Sequence, residues 1–263
     1  MTAKKKEPDV AQPVSIPQWI QDKATQAEKL QAEQMNQTKI AQLPLWGEDR
    51  RALPNEFARS SLFTIRNKKT GRRYLKPEDK IWVVGEGAIE YRGEELRAYD
   101  DELVWLQILQ LAKSAPLGKW VEFTPYQLCK ALAWPTNGSY YAKVHDCLLR
   151  LKATAVILTN KRIGKGKAIS FIQEYEWQDE REKRLPKSRV MIHPDMLLLF
   201  PEKQYTELEW LAYRTLSPLA RRLYDYAASH REPHALLLET VKKMCGSESN
   251  SRPRRWAAQV AEA

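Results

Sequence analysis

The chain has 263 residues, enough for two modest domains with a core each, and its 43 Lys and Arg against 33 Asp and Glu give a net charge of +10. That balance makes a polyanion the default partner, with plain solubility as the other reading. Cys129, Cys147 and Cys245 are odd in number and fall in predicted helices, which argues for buried thiols in a reducing compartment and against a disulfide framework. No Cys-x-x-Cys pair or mixed His and Cys cluster has metal-ligand spacing, so neither a metal nor a cofactor is expected. No apolar stretch approaches the roughly 20 residues of a membrane span, and MTAKKKEPDV leads into no apolar signal core, so the expected location is the cytoplasm.

In chain order, residues 1–57 read as a flexible arm. Met1 to about Ile40 is rich in Gln, Lys, Ala and Pro, with Trp19, Ile20 and Leu30 as its few large apolar residues, and 18–36 could form a weak helix on a partner. The arm carries the pentapeptide Gln42, Leu43, Pro44, Leu45, Trp46. It resembles the short peptides by which bacterial polymerases and initiators dock on the sliding clamp, with Leu45 and Trp46 as pocket anchors and Gln42 at the rim. The plainer reading is that such a peptide packs on its own domain.

Residues 58–180 read as a first domain. Short apolar runs from Ser61 to Tyr91 alternate with turn sequences, and the Gly85 and Gly87 pair fits a hairpin turn, since the Lys-Ser/Thr of a phosphate loop is missing. Asp101 to Lys113 is an apolar helix broken by a polar line of Gln107, Gln110 and Lys113, and Lys119 to Phe123 suits a strand. Thr124 then caps a helix with Pro125 at its first position, PTNG breaks it, and Ser139 caps a second helix. In that second helix Tyr141, Val144, Leu148 and Leu151 make an inward stripe. The opposite face carries Ser139, Lys143, Asp146 and Arg150, with Tyr140 beside it, a composition able to read base edges and phosphates. The other reading of such a face is simple solvation. Ala155 to Thr159 and Ala168 to Tyr175 read as strands around NKRIGKGK, whose Lys161, Arg162, Lys165 and Lys167 make a basic tip. Helix, strand, helix, turn, helix, strand, basic loop, strand is the order of a winged helix.

The mixed-charge segment Gln178 to Arg189 reads as a domain boundary, and 181–263 as a second domain. Thr206 to Thr215 reads as a short helix. Ser217 and Pro218 open a strong one, with Leu219, Leu223 and Ala227 on one side and Arg221 and Arg222 among its polar positions. A strand at His234 to Glu239, a helix at Thr240 to Cys245, a turn and a helix from Arg252 to Ala263 then repeat the first half in kind. Arg252, Arg254 and Arg255 are placed to contact phosphate or guanine. The chain stops inside this last helix, so the second domain is expected to be truncated before its wing. The fold class expected is α+β, two tandem winged-helix domains behind a flexible arm.

SPLARRLYDYAASH and YRGEELRAYDDELVWLQIL resemble the corresponding helices of plasmid replication initiators with two winged helices. With QLPLW, nearly the whole chain resembles the initiators of broad-host-range IncP plasmids. The resemblance implies binding to directly repeated sites in double-stranded origin DNA and opening of an adjacent AT-rich region, with the opened single strand as a further ligand. It also implies contact with the sliding clamp, the host initiator and the replicative helicase, and a monomer active in opening, with dimers restraining it. A tandem winged-helix transcription regulator would share every DNA-binding feature. A nuclease would need clustered ligands, and His145, His193, His230 and His234 form no such set, so no enzymatic activity is expected.

Overall fold

The computed structural model describes residues 41–263 apart from 77, 86–87, 160–167, 179–183, 203 and 248–251, together with Lys23 and Gln26, both helical. Residues 1–40 and 41–263 are separate units, and the architecture below is that of the second. Its elements begin with β1 (Arg50–Pro54), α1 (Asn55–Ala58), β2 (Phe63–Thr64), β3 (Tyr74–Leu75), β4 (Lys80–Ile81), β5 (Ala88–Glu94) and β6 (Leu96–Arg97). The chain continues through α2 (Asp101–Ala112), β7 (Trp120–Phe123), α3 (Pro125–Ala131), α4 (Gly138–Lys152), β8 (Ala155–Thr159), β9 (Ala168–Ile169), β10 (Glu174–Gln178) and β11 (Arg184–Met191). A 3-10 turn (Pro194–Leu199), β12 (Tyr205–Glu209), α5 (Trp210–Tyr213), α6 (Pro218–Ala228), α7 (Leu238–Met244) and α8 (Pro253–Glu262) follow.

Helix α2 is the centre of the core. Its sequence DELVWLQILQLA is apolar nearly all round, and all of its residues but Leu111 are buried, as expected of a helix wrapped by other elements. Asp100 caps it by accepting from the Asp101 N–H. Trp105 meets Phe57, Phe63 and Phe171 at ring-centroid distances of 5.5, 6.0 and 5.1 Å, a set of tilted and edge contacts that adds to simple burial. Strand β5 alternates outward and inward side chains, with Ile89 and Tyr91 in the core, and Gly85 in the turn before it has φ +97°. The expected hairpin of β4 on β5 is present, Lys80 opposite Glu90 and Ile81 opposite Ile89.

The structure departs from several expectations of the sequence. The arm does not extend to residue 57: β1 pairs antiparallel with β12, Arg51 opposite Leu208 and Leu53 opposite Thr206, and Leu53 and Phe57 are fully buried. The helix expected at 206–215 is instead this strand followed by the single turn α5. In the stretch expected to be a domain boundary, the described residues 178 and 184–189 are β-structure. Strand β11 pairs with β10 on one side and with β7 on the other, Val190 lying opposite both Tyr175 and Val121. Two of its charges have cross-strand partners, Lys187 with Glu122 at 3.2 Å and Arg189 with Glu176 at 2.6 Å. Pro186 sits within the register shift between β10 and β11, where no ladder N–H is needed. The division expected at 180/181 falls inside this hairpin.

The strands expected to make the wing, β8 and β9, do pair, Val156 opposite Ile169, but β8 belongs to the sheet of β5. The run expected as one strand, 168–175, breaks at Phe171 and Ile172, which turn into the core. The hairpin in one sheet with β7 is β10–β11.

Helix α6 is bolted to α2 by arginines that sequence reading put among its polar positions. Arg222 is fully buried, pairs with Glu102 at 3.0 Å and Asp225 at 2.7 Å, and donates to the carbonyls of Phe57, Ala58 and Ser60. Arg221 donates to the carbonyl of Ala98. Carbonyls and carboxylates supply the acceptors that let guanidinium groups leave water. Beyond α6, a satellite core of Tyr226, Val241, Met244, Cys245 and Trp256 holds α7 and α8 together. The strand expected at 234–239 is absent: 233–237 is irregular and α7 starts at Leu238. Gly246, with φ +57°, ends α7 where a Cβ would come within 2.7 Å of Thr64.

Candidate nucleic-acid interface

Helices α3 and α4 form a helix-turn-helix whose start follows from sequence. Thr124 and Gln127 make a reciprocal capping box and Pro125 occupies the first turn. The chain reverses through Ala133, at φ 54°, and Asn137 caps α4 by accepting from the Tyr140 N–H. The cap is therefore Asn137, two residues before the one expected, and Ser139 instead donates its hydroxyl to Asn137 Oδ1 at 2.8 Å.

The inward stripe of α4 is Val144, Cys147, Leu148 and Leu151. Including Cys147 rotates the stripe, and the outward line is consequently Ser139, Ala142, Asp146 and Leu149, all exposed. Ser139 and Asp146 lie on it as expected. Tyr140 is half-buried with its ring 6.0 Å from that of Trp134. Lys143 and Arg150 are drawn to the flank. The Lys143 ammonium sits 4.0 Å from the Trp134 ring centroid, 4.2 Å from that of Tyr99 and 5.8 Å from that of Tyr140, a cation held on three aromatic faces.

Arg150 is committed to the protein. Its guanidinium lies 2.9 Å from Asp101 Oδ1 and donates to Cys147 Sγ, while Arg72 bridges Asp101 at 2.6 Å and Asp100 at 2.9 Å. Burial, then the neighbouring Asp100, pushes the Asp101 carboxyl up to about 6. Burial also acts to raise Asp100, but Arg72 outweighs it and holds that carboxyl below its ordinary value. Asp100, Asp101 and Cys147 are close enough together to serve as metal ligands, but two guanidinium groups already supply their counter-charge.

Between α4 and the β10–β11 hairpin lies an open cleft of about 450 Å³ lined by Tyr126, Tyr141, His145, Tyr175, Trp177 and Pro186, among others. His145 Nδ1 lies 3.0 Å from the Tyr175 hydroxyl, and its ring meets Trp177 edge-on at 4.6 Å. These contacts fix the hairpin against the helix. The tip of this hairpin, like Lys161, Arg162, Lys165 and Lys167, lies outside the described residues.

The pentapeptide 42–46 is docked on α2. Leu43 and Trp46 are 2% and 4% exposed and Leu45 is 76% exposed. Trp46 Nε1 donates to Gln110 Oε1 at 2.5 Å, Lys113 Nζ to the Trp46 carbonyl at 2.7 Å, and Gln42 Nε2 to the Lys113 carbonyl at 3.2 Å. With Gln107, which accepts from Arg51, the polar line seen on α2 is thus a row of anchors for the strap 42–51. Sequence reading noticed the line and the peptide without joining them.

On α8, Arg252, Arg254 and Arg255 are exposed, as expected, and Trp256 faces inward with its Nε1 donating to the Leu238 carbonyl. His230 Nδ1 lies 2.8 Å from the Tyr226 carbonyl, and the rings of His230 and His234 are 6.4 Å apart.

An α+β chain with one capped helix-turn-helix beside a charged hairpin, and a second helix pair opened by arginines, has the features of a nucleic-acid-binding protein. The comparisons narrow the class. The model of the TrfA protein family matches residues 4–263, and the chain belongs to that family. It is 46% identical over 218 residues to the plasmid replication initiator protein TrfA of Escherichia coli, an alignment covering 83% of this chain and 56% of the relative. The chain thus matches little more than half the length of that curated relative. Among solved structures, domains 2 and 3 of RctB share the fold at a TM-score of 0.51 and 14% identity, over 80% of this chain and 82% of that one. Among the described residues no helix is long and apolar enough to cross a membrane.

Proposed function

We propose that this protein is a plasmid replication initiator that binds directly repeated origin sites through two winged helices, promotes opening of an adjacent AT-rich region and brings in host replication proteins. The observation that carries the reading is an exposed, doubly capped helix-turn-helix, in a chain of the TrfA family, whose adjoining sheet runs in the order β10–β11–β7. In this reading α4 lies in the major groove, the β10–β11 hairpin is the wing of the first module, and α7 with α8 is the helical part of the second. The basic segment 160–167 and the arginines of α8 contact phosphate and position the protein without reading sequence. The protein acts in the cytoplasm and catalyses no reaction of its own.

Partners in this reading are the opened single strand, the sliding clamp, the host initiator and the replicative helicase. Clamp binding through residues 42–46 requires the strap to leave α2, because Leu43 and Trp46 are buried there; of the three large apolar residues, Leu45 is the exposed one that can meet a partner first. The deciding experiment is footprinting on the origin of the plasmid that encodes the protein, followed by permanganate reactivity of the neighbouring AT-rich DNA. Protection of each repeat with reactive thymines beside it is expected. Protection without opening would make the protein a regulator of transcription instead.

A further inference from the structure

We infer that Asp146 is the residue by which α4 discriminates among bases, accepting a hydrogen bond from the exocyclic amino group of a cytosine in the major groove. The inference rests on the reading of α4 as the helix that meets DNA. Asp146 is exposed at the centre of the outward line, one turn from Ala142 and one from Leu149. The natural cationic partners of a helical carboxylate lie three or four residues away, and here they are Lys143 and Arg150. Both are engaged elsewhere, Lys143 on the rings of Trp134 and Tyr99 and Arg150 on Asp101. Asp146 forms no ion pair or hydrogen bond with any described residue.

An uncompensated carboxylate in the middle of a surface that meets a polyanion lowers affinity for DNA in general, by repulsion from phosphates and by loss of its own hydration. That cost is recovered only where a donor meets it. The major groove offers two such donors, the amino groups of cytosine and adenine. Adenine places its N7 acceptor beside the amino group, where it repels a carboxylate, whereas the cytosine edge presents the donor alone. The neighbouring residues suit the approach. Ser139 and Ala142 are small enough to let the helix backbone come near the groove floor, and Leu149 continues the same line with an apolar surface.

The test is selection of bound sites from randomised DNA by the full chain and by three variants, Asp146→Ala, Asp146→Asn and Ala142→Glu. The native protein is expected to select cytosine at one position of each repeat by roughly 5- to 150-fold over other bases. Asp146→Ala should lose the preference at that position alone, with non-specific affinity equal or higher, and Asp146→Asn should move it toward adenine, which an amide can bond at N6 and N7. Unchanged base preferences in both Asp146 variants overturn the inference. Ala142→Glu separates that failure from failure of the underlying reading. It should abolish selective binding at unchanged melting temperature, since position 142 is exposed; an Ala142→Glu protein that binds like the native one shows that α4 does not face DNA, and both ideas fall together.

Discussion

Arg150→Ala is expected to cost stability before it costs DNA binding. The guanidinium is one of two that neutralise Asp100 and Asp101, and removing it leaves the fully buried Asp101 to Arg72 alone. Breaking a buried pair of this kind costs about 3 kcal/mol, a fall of roughly 5–10 °C in melting temperature for a unit of this size. Thermal melting with and without origin DNA measures it, and an unchanged melting temperature would refute the structural role. Lys143→Ala should be milder, about 1–2 kcal/mol for taking the ammonium off its aromatic faces. What sequence hid at this scale was the phase of one helix. Reading Tyr141, Val144, Leu148 and Leu151 as the inward set leaves Lys143 and Arg150 pointing outward; counting Cys147 as the small buried apolar residue it is moves the outward line to Ala142 and Leu149. The destination of the two cations was not legible at all, because Tyr99, Asp101 and Trp134 reach them from other elements.

At the scale of elements, the strap 42–51 and helix α8 carry distinct expectations. Trp46→Ala removes a ring packed near Phe200 and Tyr205 together with a hydrogen bond to Gln110, and about 3–5 kcal/mol of stability should go with it. Leu45→Ala, at an exposed position, should leave the melting temperature within a degree or two. If the strap also serves the clamp, Leu45→Ala weakens clamp binding without destabilising the fold, and Gln110→Ala, by loosening the strap, strengthens it; surface plasmon resonance against purified clamp reads both. No clamp affinity in the native protein or in Gln110→Ala would leave the strap a structural element only. The arginines of α8 should behave otherwise. Replacing Arg252, Arg254 and Arg255 with Ser should lower affinity on all sequences and flatten the dependence of log K on log salt by about 0.9 for each phosphate no longer neutralised. The start of α3 was plain in the sequence since Thr124 and Pro125 act locally, whereas the cap of α4 is Asn137, two residues before the expected Ser139. The β10–β11 hairpin was not plain, because its charges look like a linker until Glu122 and Glu176 are placed across from Lys187 and Arg189.

At the scale of the molecule, the junction of α2 with α6 sets how stability responds to pH. One guanidinium, Arg222, pairs with two carboxylates, Glu102 and Asp225, all three side chains being fully buried, and the buried Arg221 acts on both carboxylates from further off. Tyr213 packs beside them, also fully out of solvent, and cannot supply positive charge. Burial pushes both carboxyls up, Asp225 well above its ordinary value with Glu102 adding to the rise, and Arg222 and Arg221 offset part of it in each. The pair therefore keeps a proton in the folded state at a pH where the unfolded chain has released it. A group raised on folding contributes stability that is fully present below its unfolded pKa, about 4, and is lost as pH rises through the folded value. The contribution of this junction to stability therefore falls as pH rises above about 4 and through the folded value, by up to about 1.4 kcal/mol for each pH unit within that window. Asp225→Asn keeps the size and a hydrogen-bond donor for Glu102 while removing the ionisable carboxyl, so its urea midpoint should vary less with pH than that of the native protein and exceed it at the upper end. Urea titrations of both proteins across the range decide the matter. Parallel curves would show that the proton is not held between Glu102 and Asp225, and that the charge of the junction is compensated elsewhere.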